Sequence, residues 1–238
     1  MKPLIAIHSC LNDIRNGRNQ AIRETWLQGV EKYADYRFFI GGHPASAQDD
    51  EVWFPGVDDT GNNLMEKDAA ILEWALSWGY EHILKTETDV YLDLPIIFNM
   101  DYKSDDVIGA LVGWQWGAKY PRTNVKCFIQ GHAIWYSKKA AEYIANGLLD
   151  TYKRLSPTAE TEPGQADLGP RSSDLWSGQL IEGLWRQGKL TVRTDGNFGR
   201  GPYSYHLQGN YDVKSRAPEW LHKMHNATNR AEVPWDSI

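Results

Sequence analysis

Hydrophobic residues along this chain fall into short apolar runs that alternate with longer amphipathic stretches. Short runs with an apolar centre at residues 3–7, 36–40, 81–85 and 106–112 have the length of buried strands. Apolar residues recur at helical spacing over residues 19–30, 63–78 and 174–187. Ser137 predicts the N-cap of a further helix over residues 138–144. Strands that alternate with helices in this way predict an α/β fold with a mostly parallel sheet.

Three further stretches lack this periodicity. Residues 51–61 are acidic and turn-rich, and residues 156–172 are rich in proline, glycine and small polar residues, which predicts a long flexible loop. Residues from about 195 to 238 show few periodic signals and are expected to form a tail that wraps around the domain. A chain of 238 residues suits one α/β domain better than two, so we expect a single domain over residues 1–238.

Charge and cysteine content narrow the class of protein. The formal net charge is −6 and there is no polybasic run, which argues against nucleic acid or an anionic membrane as the main partner. Arg15, Arg18 and Arg23 could still form a local anion site. No apolar run approaches the roughly 20 residues that span a bilayer, so no membrane span is expected. Cys10 and Cys127 are far apart in sequence and are expected to be free thiols.

Aromatic residues are unusually abundant. The chain has 11 tryptophans and 12 tyrosines, and several stand beside polar residues at 113–117, 173–176 and 202–206. Aromatic rings interleaved with polar groups suit a cleft that stacks against the flat faces of a ligand. The sequence therefore favours a ligand-binding protein over one that uses its aromatic residues only as core.

The candidate chemistry centres on two carboxylates, Glu87 and Asp89, which follow a buried strand. Residues i and i+2 of a strand point to the same side, so the two carboxylates are expected to aim at one point. Carboxylate oxygens bind Mg²⁺ or Mn²⁺ and leave coordination positions for phosphate oxygens. By itself such a pair is weak evidence, because it also occurs by chance.

Five blocks of sequence, in order, resemble the β-1,3-galactosyltransferase and Fringe family, whose members have the GT-A fold. The first holds Arg18, Ile22, Arg23, Thr25 and Trp26, and the second holds Asp59, Asn63, Leu64 and Lys67. The third is residues 85–89, which match the family's Lys-x-Asp-Asp-Asp segment. The last two are residues 130–137, a glycine-containing strand before a helix, and residues 173–178, which match the family's Glu-Asp-Val-x-x-Gly segment.

The resemblance implies an inverting glycosyltransferase that uses a UDP-sugar donor and a divalent metal, Mn²⁺ or Mg²⁺. It implies that Asp89 is the principal metal ligand, that Glu87 lies near the ribose or a metal-bound water, and that His206 is the third ligand. His222 and His225 are the other histidines after residue 174, and an ordinary surface histidine is the alternative for His206.

The same resemblance assigns the remaining site residues. Asp174 would be the general base that deprotonates the acceptor hydroxyl, with a helix N-cap as the alternative. Arg18 and Lys67 would neutralise the donor diphosphate, and Asp59 would accept a hydrogen bond from the base or ribose. A solvated helix lysine is the alternative for Lys67, and Arg23 and Trp26 are expected to be structural.

This sequence departs from the family pattern at several positions. Glu87 and Thr88 replace two of the family's aspartates, Gly61 and Met65 replace a tyrosine and a threonine, and Ser173 stands where the family has an acid. The family's cysteines and membrane anchor are largely missing, which favours a cytoplasmic location in a bacterium or a phage-infected cell.

Two alternatives remain open at this point. The first is a phage-type glycosyltransferase that modifies hydroxymethylated bases in DNA, with Arg15, Arg18, Lys119, Arg122 and Lys126 touching phosphates. The second is a non-catalytic relative that binds carbohydrate through its aromatic residues. A glycan is the expected acceptor, and the sequence does not distinguish a hexose donor from a pentose donor.

Overall fold

The computed structural model describes residues 1–44, 46–57, 59, 64–112, 128–154, 173–198, 200–201, 203–207 and 216–227. Its strands are β1 (Leu4–His8), β2 (Asp35–Gly41), β3 (Glu51–Phe54), β4 (His82–Glu87), β5 (Val90–Leu92), β6 (Val107–Val112), β7 (Phe128–Ser137), β8 (Val192–Thr194), β9 (Arg200–Gly201) and β10 (Ser204–His206). Its helices are α1 (Leu11–Arg15), α2 (Arg18–Glu24), α3 (Leu64–Ser77), α4 (Leu94–Asn99), α5 (Lys138–Arg154), α6 (Ser173–Arg186) and α7 (Ala217–Asn226).

The main sheet has seven strands in the order β3-β2-β1-β4-β7-β6-β8. Strands β3, β2, β1 and β4 pair in parallel, and so do β6 and β8. Strand β7 is antiparallel to both of its neighbours, β4 and β6. The prediction of a mixed, mostly parallel central sheet flanked by helices is therefore confirmed.

A second, three-stranded sheet has the order β5-β10-β9. Strand β5 begins three residues after β4 ends, so the chain passes directly from the main sheet into the small one. Its partner β10 comes from the C-terminal part of the chain and runs antiparallel to it, with Ser204, Tyr205 and His206 opposite Leu92, Tyr91 and Val90. The small sheet thus ties the C-terminal segment to the segment that follows β4.

Two hydrophobic layers cover the faces of the main sheet, because successive strand residues point to opposite sides. Ile5 and Ile7 of β1 pack into the layer that holds residues of α2, α4 and α7. Leu4 and Ala6 of the same strand pack into the layer that holds residues of α3, α5 and α6. The two layers leave the strand ends as the places where polar groups can gather.

Most of the predicted elements are present, with shifted ends. Ser137 is the expected N-cap, since its hydroxyl accepts a hydrogen bond from the Ala140 amide at 3.2 Å, but the helix that it begins runs on to Arg154. Gly79 follows the end of α3 in a left-handed conformation, with φ of 82°. Helix α2 ends at Glu24, short of the predicted residue 30, and the Thr25 hydroxyl donates to the Ala21 carbonyl at 2.6 Å where the helix stops.

Other expectations need correction. Residues 51–54 are not a turn-rich loop but β3, which pairs with β2. Trp78, at the end of the predicted helix 63–78, is 63% exposed, whereas Lys67 and Asp68 within that helix are buried in ion pairs. The C-terminal part of the chain contains β9, β10 and α7, and Trp220 of α7 packs into the core; that residues 195–238 wrap around the domain stays a prediction. The loop predicted at 156–172 lies outside the described residues.

No helix within the described part of the chain has both the length and the apolar composition to cross a membrane.

Candidate active site at the ends of strands β1 and β4

The order of the strands places a crevice beside the ends of β1 and β4. From β1 the chain proceeds to β2 and β3 on one side, and then crosses to β4 on the other side. In open α/β sheets, ligands bind outside the carboxyl ends of the strands where the strand order reverses in this way. His8 ends β1 and Glu87 ends β4, and the two residues are register partners. The predicted acidic segment therefore lies at the switch point of the sheet.

Glu87 and Asp89 are arranged differently from the sequence prediction. Glu87 is the last residue of β4, whereas Thr88 and Asp89 form the turn that leads into β5. The alternation of side chains along a strand therefore does not apply to this pair, because the strand ends between them. Asp89 is 4% exposed, and its backbone carbonyl accepts a hydrogen bond from the Leu207 amide at 2.9 Å. Turn geometry and this tether to the C-terminal segment hold Asp89 in place.

His206 is brought close to Asp89 by backbone pairing. It is opposite Val90 in the antiparallel pair of β10 and β5, and the next residue, Leu207, bonds to Asp89 itself. Its side chain lies outside what the structure describes. Among the side chains that are described, no group of three histidine, cysteine, aspartate or glutamate residues forms a metal cluster. The backbone thus brings the three predicted ligands to one place, and metal binding stays a prediction.

A buried cluster of charged and polar side chains lies behind this edge. Asp68 of α3 is at its centre and is 3% exposed. Its Oδ2 accepts hydrogen bonds from Nζ of Lys85 at 2.6 Å and from the hydroxyl of Ser173, and its Oδ1 lies 3.0 Å from Nδ1 of His8. The cluster joins α3, β4, α6 and β1. Sequence reasoning missed it, and the one available signal was a charged pair, Lys67 and Asp68, inside an otherwise apolar helix face.

The charges of this cluster stabilise one another. Burial opposes ionisation of Asp68, but the Lys85 ammonium and the hydrogen bond with His8 outweigh burial and hold the pKa of Asp68 well below its ordinary value. Burial likewise opposes the charge of Lys85, yet the carboxylates of Asp68 and then Asp174 raise its pKa. For His8, burial and the Lys67 charge lower the pKa below its ordinary value. Asp68 and Lys85 therefore form a persistent ion pair.

Asp174, the predicted base, is the second residue of α6 and is half-buried. It therefore lies in the first turn of the helix rather than at an N-cap before it. Its carboxylate is close enough to Lys85 to contribute to the raised pKa of that lysine. A carboxylate in the first turn is also favoured by the helix dipole. The charges of Asp174 and Glu87 thus both act on the Lys85 ammonium.

Asp59 and Lys67 form a second buried connection. Oδ1 of Asp59 accepts hydrogen bonds from the Gly41 amide at 2.9 Å and from Nζ of Lys67, and Oδ2 accepts one from the Leu11 amide at 3.2 Å. Nζ of Lys67 also donates to the Ser9 carbonyl. Lys67 is fully buried, so the alternative of a solvated helix lysine is wrong. The pair fastens the ends of β1 and β2 to α3.

The predicted arginines have different surroundings. Arg18 is 8% exposed, and its Nη1 donates to Oδ1 of Asp13 at 2.8 Å. Arg23 makes two hydrogen bonds to Asp50 at 2.8 and 2.7 Å, and one to Glu51 at 3.1 Å. With Trp26 3% exposed in the core, the structural role expected for Arg23 and Trp26 is confirmed. The structure does not describe the aromatic segment 113–117 or residues Lys119, Arg122, Lys126 and Cys127. The other cysteine, Cys10, is a free thiol.

Solved structures share this arrangement of strands and helices. One is a glycosyltransferase involved in the glycosylation of the major capsid of PBCV-1, with a TM-score of 0.52 and 12% identity, covering 92% of this chain and 99% of that chain. Another is the apo form of the glycosyltransferase GlyE of Streptococcus pneumoniae TIGR4, with a TM-score of 0.50 and 11% identity. That match covers 99% of this chain and 61% of GlyE.

The chain has the fold of a glycosyltransferase. The expected GT-A-type α/β fold is confirmed by the seven-stranded sheet and by these neighbours. No protein-family model matches the sequence, and no curated protein matches it either. The specific resemblance to β-1,3-galactosyltransferases and Fringe therefore stays a prediction.

Proposed function

We propose that this protein transfers a sugar, with inversion at the anomeric carbon, from a UDP-sugar to an acceptor hydroxyl, and that it needs a divalent metal. The observation that carries the proposal is the pairing of β10 with β5, which brings His206 beside Asp89 at the β1/β4 switch point. This pairing unites two parts of the chain that the sequence assigns to one metal site. The glycosyltransferase fold is the context that makes the assignment specific.

The residues at this edge fit a divalent cation. Glu87 and Asp89 offer carboxylate oxygens and His206 offers an imidazole nitrogen, a ligand set suited to Mn²⁺ or Mg²⁺. When bound, such a metal neutralises the charge that develops on the departing nucleoside diphosphate. We also propose that Glu87, the last residue of β4, contacts the ribose.

Asp174 is proposed as the general base. In a single displacement, the acceptor oxygen forms a bond to the anomeric carbon as the bond from that carbon to the phosphate oxygen breaks. The proton of the acceptor hydroxyl passes to the Asp174 carboxylate. The first turn of α6 and the nearby Lys85 ammonium both attract the negative charge of that carboxylate.

Arg18, Asp59 and Lys67 are proposed to serve the donor. Lys67 is fully buried against Asp59 and the Ser9 carbonyl, so we expect it to shape the loop after β1 and to act on the diphosphate through its charge. Arg18 begins α2, and its pairing with Asp13 of α1 fixes its position. A glycan is the proposed acceptor.

The first experiment is a thermal-shift screen of UDP-sugars in the presence of Mn²⁺. A donor present at 100 times its Kd stabilises the folded state by about 2.7 kcal/mol, so a binding sugar should be evident from Tm. The best donor is then used to measure turnover with and without EDTA, and NMR of the product anomer tests inversion. Loss of turnover in EDTA and recovery with Mn²⁺ are expected.

Substitutions test the assigned roles. Asp174→Ala should lower kcat by about 100- to 10,000-fold while the donor still raises Tm. Asp89→Ala should abolish both turnover and the Mn²⁺-dependent part of the shift. Asp49→Ala, which removes an exposed carboxylate from the loop before β3, is the control and should match the wild type. Unchanged turnover in both site variants would refute the assignment.

The same protein preparation tests the two alternative hypotheses, a DNA glycosyltransferase and a non-catalytic carbohydrate-binding protein. Glycosylation of hydroxymethylated duplex DNA, with binding that falls steeply as salt is added, would identify a nucleic-acid acceptor. Saturable sugar binding without turnover of any donor would identify a binding protein. Either result would refute the proposal that the protein is a glycosyltransferase acting on a glycan.

A further inference from the structure

The cluster around Asp68 connects four elements whose ends meet at the candidate site. Asp68 on α3 receives the Lys85 ammonium from β4, the Ser173 hydroxyl from α6 and lies against the His8 imidazole from β1. Asp68, Lys85 and Ser173 are each no more than 5% exposed. Both oxygens of the Asp68 carboxylate are therefore engaged by groups from other elements, away from solvent.

Burying such a charged cluster adds little to the stability of a protein. Taking an ion pair out of water costs free energy that its attraction often fails to recover, and an apolar replacement of equal volume is frequently as stable. What a buried, fully hydrogen-bonded pair does provide is a defined geometry among the elements that it joins. The cluster is therefore best explained by the arrangement it fixes rather than by the stability it adds.

Each partner of Asp68 adjoins a residue of the proposed site. Ser173 directly precedes Asp174, and both are in the first turn of α6. Lys85 lies on β4, which ends at Glu87, and His8 is the register partner of Glu87. A shift of the Asp68 carboxylate would consequently move the base and the acidic segment relative to each other.

We infer that Asp68 is a positioning residue, which holds the first turn of α6 and thus the Asp174 base in fixed register with the end of β4. The inference rests on the proposed function. Asp68 itself is too buried, and its oxygens too fully engaged, to contact a substrate. Its influence on the reaction passes through Ser173 and Lys85.

The hydrogen bond between Ser173 and Asp68 also explains why position 173 departs from the family pattern. The family that this chain resembles has an acid directly before its catalytic aspartate, whereas this chain has Ser173. Ser173 donates a hydrogen bond to Asp68, and an acid at this position would instead place a second negative charge against a buried carboxylate. The donor at 173 and the acceptor at 68 are therefore a matched pair.

The test compares Asp68→Asn with Asp106→Asn. Asp106 is the control with the same kinds of donor: its carboxylate accepts hydrogen bonds from Ser137 at 2.8 Å, Lys139 at 3.0 Å and the Thr191 amide at 2.9 Å. It differs from Asp68 in being more exposed, as is its lysine partner. It lies just before β6, whose first residue pairs with Tyr136 near the other end of the sheet from Glu87. For both variants the readouts are Tm, kcat, donor KM and amide hydrogen exchange over residues 173–177.

Asp68→Asn is expected to lower kcat by about 10- to 100-fold with donor KM changed less than about threefold, because a base displaced by about an ångström loses rate before it loses substrate binding. It should also speed exchange in the first turn of α6. Asp106→Asn should leave kcat, KM and that exchange near wild type. Ser173→Ala should lower kcat in the same direction, and Ser173→Thr, which keeps the hydroxyl, should restore it.

Each outcome decides the inference. Equal kcat in the Asp68→Asn and Asp106→Asn variants, or a loss in Ser173→Ala that threonine does not restore, would overturn it. Wild-type protein without turnover of any sugar nucleotide would overturn the proposed function and the inference with it. Faster exchange at 173–177 in that case would still show that Asp68 anchors α6, which separates the structural contact from its catalytic consequence.

Discussion

Replacing Lys67 with methionine removes a charge that the structure buries completely. Nζ of Lys67 donates to Asp59 and to the Ser9 carbonyl, and the side chain has no exposed surface. Methionine has a similar length and keeps the apolar contacts of the stem, so the substitution isolates the ammonium. It leaves the Asp59 carboxylate with the amides of Gly41 and Leu11 as donors but without a counter-charge.

The size of the effect follows from this geometry. Breaking a buried ion pair by removing one partner costs about 3–5 kcal/mol. Asp59 is 15% exposed and keeps two amide donors, so we expect the lower end, about 3 kcal/mol. For a domain of this size, that loss corresponds to a decrease in Tm of roughly 6–12 °C.

The assay is urea unfolding followed by tryptophan fluorescence, with calorimetry for Tm. Lys139→Met is the matched control, because this lysine also pairs with an aspartate, at 3.0 Å, but is 54% exposed. Its loss should cost about 0.5 kcal/mol or less. In a double-mutant cycle with Asp59→Asn, the coupling energy between positions 59 and 67 should be about 1–3 kcal/mol.

The reasoning would be refuted if Lys67→Met destabilised the protein no more than Lys139→Met. It would also be refuted if Lys67→Met left the free energy of unfolding unchanged but abolished the rise in Tm caused by UDP. The second result would mean that Lys67 contacts the diphosphate rather than fastening the loops.

Two other substitutions and one titration test neighbouring features. In a Cys127→Ser background, alkylation of Cys10 should be slow at pH 8 and should accelerate as pH rises towards 11. The reason is that burial and then the charge of Asp13 raise the pKa of the Cys10 thiol to about 11. Mass spectrometry at a series of pH values measures the alkylation rate, and a midpoint near pH 8.5 would contradict the expectation. Gly41→Ala should lower the free energy of unfolding in urea by about 1–3 kcal/mol, since the added Cβ would lie 2.6 Å from Oδ1 of Asp59. An unchanged free energy of unfolding would show that the loop holding Asp59 moves to make room for the alanine. Ser173→Glu should lower Tm by more than Ser173→Ala, because it sets a second carboxylate against Asp68, and equal Tm values would argue against that contact.

The sequence predicted the layers of this fold well because its signals there are local. Strand β1 is an apolar run from Leu4 to Ile7, and β4 has an apolar pair, Ile83 and Leu84, in its buried part. Helices α3 and α6 carry helical periodicity with recognisable ends. Strand β3 was missed, since its four residues stand in an acidic, turn-rich stretch and become a strand only by pairing with β2. Pairing of this kind is a tertiary effect that propensity cannot reveal.

The candidate site was predicted in part. Glu87, Asp89 and Asp174 were chosen from motif order, and the structure places the two acidic positions at the switch point and Asp174 near Lys85. The turn at Thr88 and Asp89 was not foreseen, because β5 exists only through its pairing with β10. The central role of Asp68 could not be inferred either, since its three partners come from distant parts of the chain.

The junction at Asp89 also bears on how the molecule assembles. Asp89 stands between a strand of the main sheet and a strand whose partner, β10, comes from near the other end of the sequence. Forming contacts between such distant parts of the chain first costs loop-closure entropy, and only then do the contacts stabilise the fold. We therefore expect them to form late in folding. The main sheet through β7 can form while the chain is still being synthesised, but β5 and the Asp89 carbonyl meet their backbone partners in β10 and Leu207 only when residues 204–207 arrive. The centre of the proposed chemistry is therefore completed late, and a growing chain that has not yet reached residue 207 has no finished active site.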